Sequence, residues 1–340
     1  MNAVYHPVSR FVAFKWLLKR EYWEHRGGFL WAPLIAGAAS LVIACVAIII
    51  GLFALTRASR SGSVHINGTA FNINGLDLNL LTQQITAERA QNLAGPLDAA
   101  LWLGSSWPFL VMAFVVFFYC LGALYDDRRD RSILFWKSLP ISDTATVLSK
   151  AASALVIAPA LAVIASTLTM FVFALILSAL ILFHGGNPIT LLWGPASPLN
   201  ITLGHLAWIP VYALWALPTV GWLLMCSAWA RSKAFLWAVL LPVLTGVVVT
   251  STNLMAVFDL NSNWFWKHIV ARLLLSAAPG SEMVYRYGFN GQVASDSAAQ
   301  EFSAMTQLQL LQLPSVWIGA AFGVAFLLVA IFLRRRSGEI

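Results

Sequence analysis

The chain has 340 residues, of which 59% are hydrophobic and only 10% charged, with a formal net charge of +7. Soluble domains carry about 25% charged residues, so this composition excludes an ordinary water-soluble fold and demands lipid. The basic residues flank apolar blocks instead of forming one stripe with interleaved aromatics, which argues against nucleic acid and for anionic headgroups.

Residues 10–26, RFVAFKWLLKREYWEHR, read as an interfacial helix preceding the first apolar block. Phe11, Phe14, Leu18 and Tyr22 share one helical face, Lys15, Lys19 and Arg26 lie off it, and Gly27–Gly28 should end it. Apolar blocks long enough for a bilayer follow at about 31–55, 101–125, 147–183, 203–230, 235–257 and 314–333. The fold class expected is therefore an all-α polytopic membrane protein: a single domain over 1–340, six transmembrane helices and a helical segment at 1–30. The third block exceeds one crossing and should tilt or extend, with Pro159 as a kink, while Pro210, Pro218 and Pro242 fall inside the fourth and fifth.

Between the first two blocks, residues 56–100 read as a polar outer loop in which Arg57, Arg60 and Arg89 balance Asp77, Glu88 and Asp98. A second outer stretch, Trp264 to Gly280, is apolar enough to lie in the interface or re-enter it, and Pro279–Gly280 should stop it. Fifteen of the 21 Lys and Arg fall in the N-terminal segment, the 126–150 loop, the 231–233 turn and the C-terminus. The positive-inside rule then puts both termini in the cytoplasm, for a multi-pass protein of the inner (plasma) membrane. No cleavable signal peptide is expected.

Chemistry is hard to find. There is no GxxxxGK[ST], HExxH or GxSxG, so neither a phosphate-cradling loop, a zinc-protease helix nor a nucleophile elbow is expected. The six His are scattered without metal-ligand spacing, and Cys45, Cys120 and Cys226 read as small buried hydrophobes. The blocks hold essentially no Asp, Glu, Lys or Arg, which argues against a proton-coupled carrier. Ser166, Thr167, Thr169 and Ser178 read as helix-packing hydroxyls. One inner segment differs: 126–150, DDRRDRSILFWKSLPISDTATVLSK, crowds acids and bases around Ile133, Leu134, Trp136 and Lys137. That pattern predicts a short docking helix ending before Pro140, with Ser142 or Asp143 capping the next helix.

With these features in place, the chain resembles the membrane permease subunits of type-2 ABC transporters. KREYWEHRGG (19–28) is similar to the elbow helix of that family, and DRRDRSILFWKSLPIS (127–142), followed by Lys150, to its coupling helix. The order of six spans, with a long outer segment before the last, is also similar. The first outer loop, 56–100, is longer than the family's shortest examples, which weakens any close substrate analogy. The resemblance implies a cytoplasmic ABC ATPase subunit as partner and a second permease subunit, identical or paralogous. No cofactor would be bound by this chain itself, with ATP and Mg held by the partner, and export the expected direction. It further implies that Arg128, Arg129, Arg131, Phe135, Trp136, Lys137 and Leu139 meet the ATPase, with Arg20, Glu21 and Glu24 nearby. The competing classes are a non-transporting membrane sensor or scaffold and an intramembrane enzyme. The near absence of ionisable groups in the spans points to a hydrophobic or amphipathic cargo.

Overall fold

A computed structural model describes residues 9–59, 64–66, 69–71, 78, 82, 87–130, 141–258, 261–282, 285 and 303–336. Hydrocarbon offers no hydrogen bonds, so a chain of this hydropathy must satisfy its backbone within helices. Among the described residues, five helical stretches are long and apolar enough to cross a membrane: Gly27–Ala54, Asn92–Arg129, Asp143–Phe183, Ala234–Ser251 and Pro314–Arg336. The pair Pro198–Trp215 and Leu217–Trp229 makes a sixth if it forms one span, bent by 49°. The protein is thus a helical, multi-pass type of membrane protein.

Helix α1 (Arg10–Glu24) leads through a π-helical turn, Gly27–Trp31, into α2 (Ala32–Ser59). α1 ends at Glu24, with His25 in a non-helical conformation, and the glycine pair that was expected to stop it opens the π turn. A Cβ on Gly28 would lie 3.0 Å from Val115, so the small residue serves a close helix approach instead. The side of α1 that packs on the protein runs through Leu17 and Glu21, whereas Phe11 is 76% exposed.

The expected polar loop at 56–100 is partly structured. Strands β1 (Val64–Ile66) and β2 (Thr69–Phe71) pair antiparallel with Val64 opposite Phe71, so the fold is not purely helical. Helix α3 (Ala87–Gly104) begins inside the same stretch and is followed by α4 (Trp107–Ala123) and the short α5 (Tyr125–Arg129). Asp98 is buried and accepts the Ser197 backbone N–H at 2.7 Å as well as the Ser197 hydroxyl.

Helix α6 (Asp143–Ala152), a π turn at Ser153–Ile157 and α7 (Ala158–Phe183) form one continuous stretch of 41 residues. At about 1.5 Å per residue it is roughly twice as long as the hydrocarbon is thick, so part of it stands outside the bilayer. Of the two capping candidates, Ser142 does the work, its hydroxyl accepting the Ala145 N–H at 3.2 Å. Pro159 follows the π turn, whose wider pitch eases the clash between a proline ring and the carbonyl four residues earlier.

Helices α8 (Pro198–Trp215) and α9 (Leu217–Trp229) meet at the bend, where Pro218 opens the second helix. A tight turn with Lys233 at φ 51° reverses the chain into α10 (Ala234–Ser251). The outer stretch folds as α11 (Ser262–Phe265), a π turn at Trp266–Val270 and α12 (Ala271–Leu275). Gly280 at φ +74° lies where a stop was expected. Among the described residues, α13 (Ala304–Gln309) and α14 (Pro314–Arg336) follow.

Helix α9 runs through the middle, burying Val220, Leu223 and Leu224 against Met112, Val116 and Tyr212. Its contact with α14 leaves no room for side chains: a Cβ on Gly221 would sit 2.5 Å from the Gly323 carbonyl oxygen. Such small-residue approach is how helices associate where lipid removes the hydrophobic drive. Of the expected packing hydroxyls, Ser166 donates to the Ser105 carbonyl at 2.6 Å and Ser178 accepts from Trp193 Nε1 at 2.9 Å, whereas Thr169 donates within its own helix and the Thr167 hydroxyl is buried without a partner among the described residues. Cys120 and Cys226 are buried and Cys45 half-buried. The outward sides of α2, α10 and α14 carry exposed Ile35, Phe53, Leu236, Val248 and Phe322, which only lipid or another apolar surface can cover.

Candidate functional site

Residues near both termini and from both flanks of the 126–142 segment converge at one end of the helices. Glu21, with no exposed surface, accepts a hydrogen bond from the Tyr119 hydroxyl at 2.8 Å and pairs with Lys150 Nζ at 3.3 Å and with Arg20. Lys150 also lies 3.7 Å from Asp127 Oδ2. Arg334 Nη1 reaches that same Asp127 oxygen at 3.1 Å, while its Nε pairs with Asp143 at 3.1 Å. Three acids and three bases thus link α1, α5, α6 and α14. Buried charges persist only when paired and hydrogen-bonded, so the cluster locks these helix ends in one arrangement.

Arg128 extends the lock to α9. Its guanidinium donates to the Ser227 carbonyl and, at 2.8 Å, to the Ala230 carbonyl. These are orphan acceptors at the end of α9, where a cation also meets the favourable end of the helix dipole. The Ser227 hydroxyl in turn accepts the N–H groups of Leu124 and Tyr125, freed at the break between α4 and α5, at 3.0 and 2.9 Å.

The residues expected at a partner interface therefore divide. Glu21 is fully buried and engaged within the fold, whereas Arg128 is half-buried and bonds the end of α9. Arg129 and Glu24 are exposed, Glu24 pairing with Arg20 at 3.6 Å. Arg131, Phe135, Trp136, Lys137 and Leu139, with the docking helix expected there, lie outside the described residues. Lys150, which the resemblance placed just after the coupling helix, and Arg334, counted only as a topology signal, are further functional candidates. Their position at the ends of apolar helices, rather than beyond them, was the available sign.

Burial alone would raise the Glu21 pKa, but Lys150, Arg20 and the Tyr119 hydroxyl outweigh it and hold the group below its ordinary value near 4.5. A lowered folded-state pKa contributes stability that is complete above the unfolded value and is lost as pH falls through the folded one. Thermal unfolding in detergent should therefore show wild type losing its advantage over Glu21→Gln as pH drops below about 4.3. An unchanged difference between pH 7 and pH 3 would remove Glu21 from the stabilising network.

The opposite end also holds charge, in the outer stretch and beyond the apolar blocks. Arg272, buried in the outer stretch, stacks its guanidinium 3.3 Å from the Trp215 ring and donates to Ser276 at 3.2 Å. Burial lowers its pKa to about 10, so it stays cationic at neutral pH. Glu282 is buried as well and accepts from Trp208 Nε1 at 3.0 Å. His205 is 6% exposed and packs edge-on against Phe109.

No protein-family model, curated protein or solved structure matches the chain.

Proposed function

We propose that this protein is the permease subunit of an ATP-driven exporter of the type-2 ABC class, energised by a separate cytoplasmic ATPase. The observation that supports this reading most is the way the charge cluster anchors the segment that would receive the ATPase. On one side of residues 131–140, Asp127 and Arg128 are bound to α6, α14 and the end of α9. On the other side, Asp143 is bound to α14. A push on that segment would be delivered to three helices at once, the requirement for converting ATPase closure into helix movement. In this reading α1 is the elbow helix, lying along the inner headgroups, and both termini are cytoplasmic. A second permease subunit covers part of the exposed apolar surface, and the cargo is a hydrophobic or amphipathic molecule.

The test is isolation from native membranes followed by reconstitution. The chain should bring down an ATPase subunit whose hydrolysis rises with amphiphiles and not with small hydrophilic ions or sugars. Purified alone it should hydrolyse no ATP. Transport by the isolated chain without nucleotide would refute the proposal.

A further inference from the structure

A small cavity of about 40 Å³ lies between α3, α4, α8, α13 and the turn after α12, lined by Trp102, Phe109, His205, Trp208, Glu282 and Gln307 among others. Its lining is mostly apolar but includes three buried polar side chains, His205, Glu282 and Gln307. Both ring nitrogens of His205 and Oε1 of Gln307 are buried with no hydrogen-bond partner, although His205 is 6% and Gln307 2% exposed. Buried polar atoms are nearly always paired, so three orphans beside one space indicate that something else completes them. Glu282, 4% exposed, adds a carboxyl group whose pKa burial raises and which accepts from Trp208 Nε1 at 3.0 Å and from the backbone of Gly280 and its own residue. No described cation lies within ion-pair distance of it, Arg272 acting only from further away.

The ligand chemistry follows from counting donors and acceptors. Trp208 has already spent its N–H on Glu282, and a neutral imidazole offers one acceptor for each donor. The lining residues therefore offer chiefly acceptors: the Glu282 carboxyl, the unpartnered Gln307 oxygen and one nitrogen of His205. Around them stand the rings of Trp102, Phe109 and Trp208, with Phe109 and Trp208 crossing edge-on at 5.0 Å. Aromatic faces attract cations, and an acceptor-rich site wants a group with several N–H donors. Since one water-sized group needs about 10–15 Å³ on this measure, the space admits two or three heavy atoms. From this geometry we infer that the cavity binds a primary ammonium group, supplied either by a free small amine or by the headgroup of an aminophospholipid.

The probe is methylammonium, added to the full chain in phosphatidylcholine nanodiscs at constant ionic strength. Thermal stability should rise and tryptophan fluorescence should shift with one saturating curve, its midpoint on the order of 10 mM for so small a ligand. Sodium and the bulkier tetramethylammonium should give neither response. Glu282→Gln and Gln307→Leu should each weaken binding by roughly tenfold or more. If Glu282→Gln fails to fold, Gln307→Leu decides. Replacing phosphatidylcholine by phosphatidylethanolamine separates the two sources. A lipid ligand would raise stability without added amine and abolish the methylammonium response, whereas a free-amine site would respond equally in both lipids. An equal response to sodium, no saturable response in either lipid, or full binding in a folded variant would overturn the inference.

Discussion

Lys150→Met should unfold at clearly lower denaturant than wild type, with a loss of about 3 kcal/mol, the low end of the range for breaking a buried pair. Lys150 is 2% exposed and stands between Glu21 at 3.3 Å and Asp127 at 3.7 Å. Methionine fills the same volume but leaves both carboxylates short of one counter-charge. Arg20 and Tyr119 still serve Glu21, and Arg334 still serves Asp127, which is why the low end applies. Adding Glu21→Gln to Lys150→Met should recover part of the loss, because no buried anion then lacks its cation at that point. A double-mutant cycle on purified protein measures this coupling. If Lys150→Met melts like wild type, the cluster is solvated and cannot act as a rigid platform.

The largest functional effect is expected at Trp136. Replacing it by Ala, or Phe135 or Leu139 likewise, should leave folding intact and reduce ATPase association and cargo-stimulated hydrolysis by about tenfold or more. Aromatic side chains at the centre of docking surfaces supply most of the binding energy, and truncating one typically costs about 2 kcal/mol or more. The neighbouring anchors should survive the substitution, since Arg128 holds the end of α9 and Asp143 holds Arg334 independently of residue 136. Arg128→Ala provides the contrast. It leaves the carbonyls of Ser227 and Ala230 without their donor, so it should lower thermal stability as well as coupling. Normal ATPase stimulation in all three apolar variants would reduce the segment to a charged topology anchor.

How far the sequence reached can be judged residue by residue. The apolar blocks predicted the helical stretches, because a bilayer tolerates only backbone satisfied within itself. Local chemistry was also legible: Ser142 caps α6, and Gly280 takes a left-handed conformation where the outer stretch was expected to stop. Each of these depends on neighbours within a few residues, which is the range over which residue type dictates conformation.

Everything that depends on helix rotation was not legible. A helix apolar on all sides has no stripe to say which face meets protein and which meets lipid. Hence Gly27–Gly28 looked like a stop, when Gly28 in fact admits Val115 of a neighbouring helix. Glu21 looked like a surface charge for a partner, when Lys150 and Tyr119, over a hundred or nearly a hundred positions away, enclose it. His205, Glu282 and Gln307 are far apart in the chain and come to one cavity only through the packing of α8, α13 and the turn after α12. The sequence alone determined that this chain is helical and built for lipid, since hydropathy and capping act locally. Only the tertiary structure decided which charges are buried and which polar groups share a space, because those pairings are set by how featureless helices turn against one another.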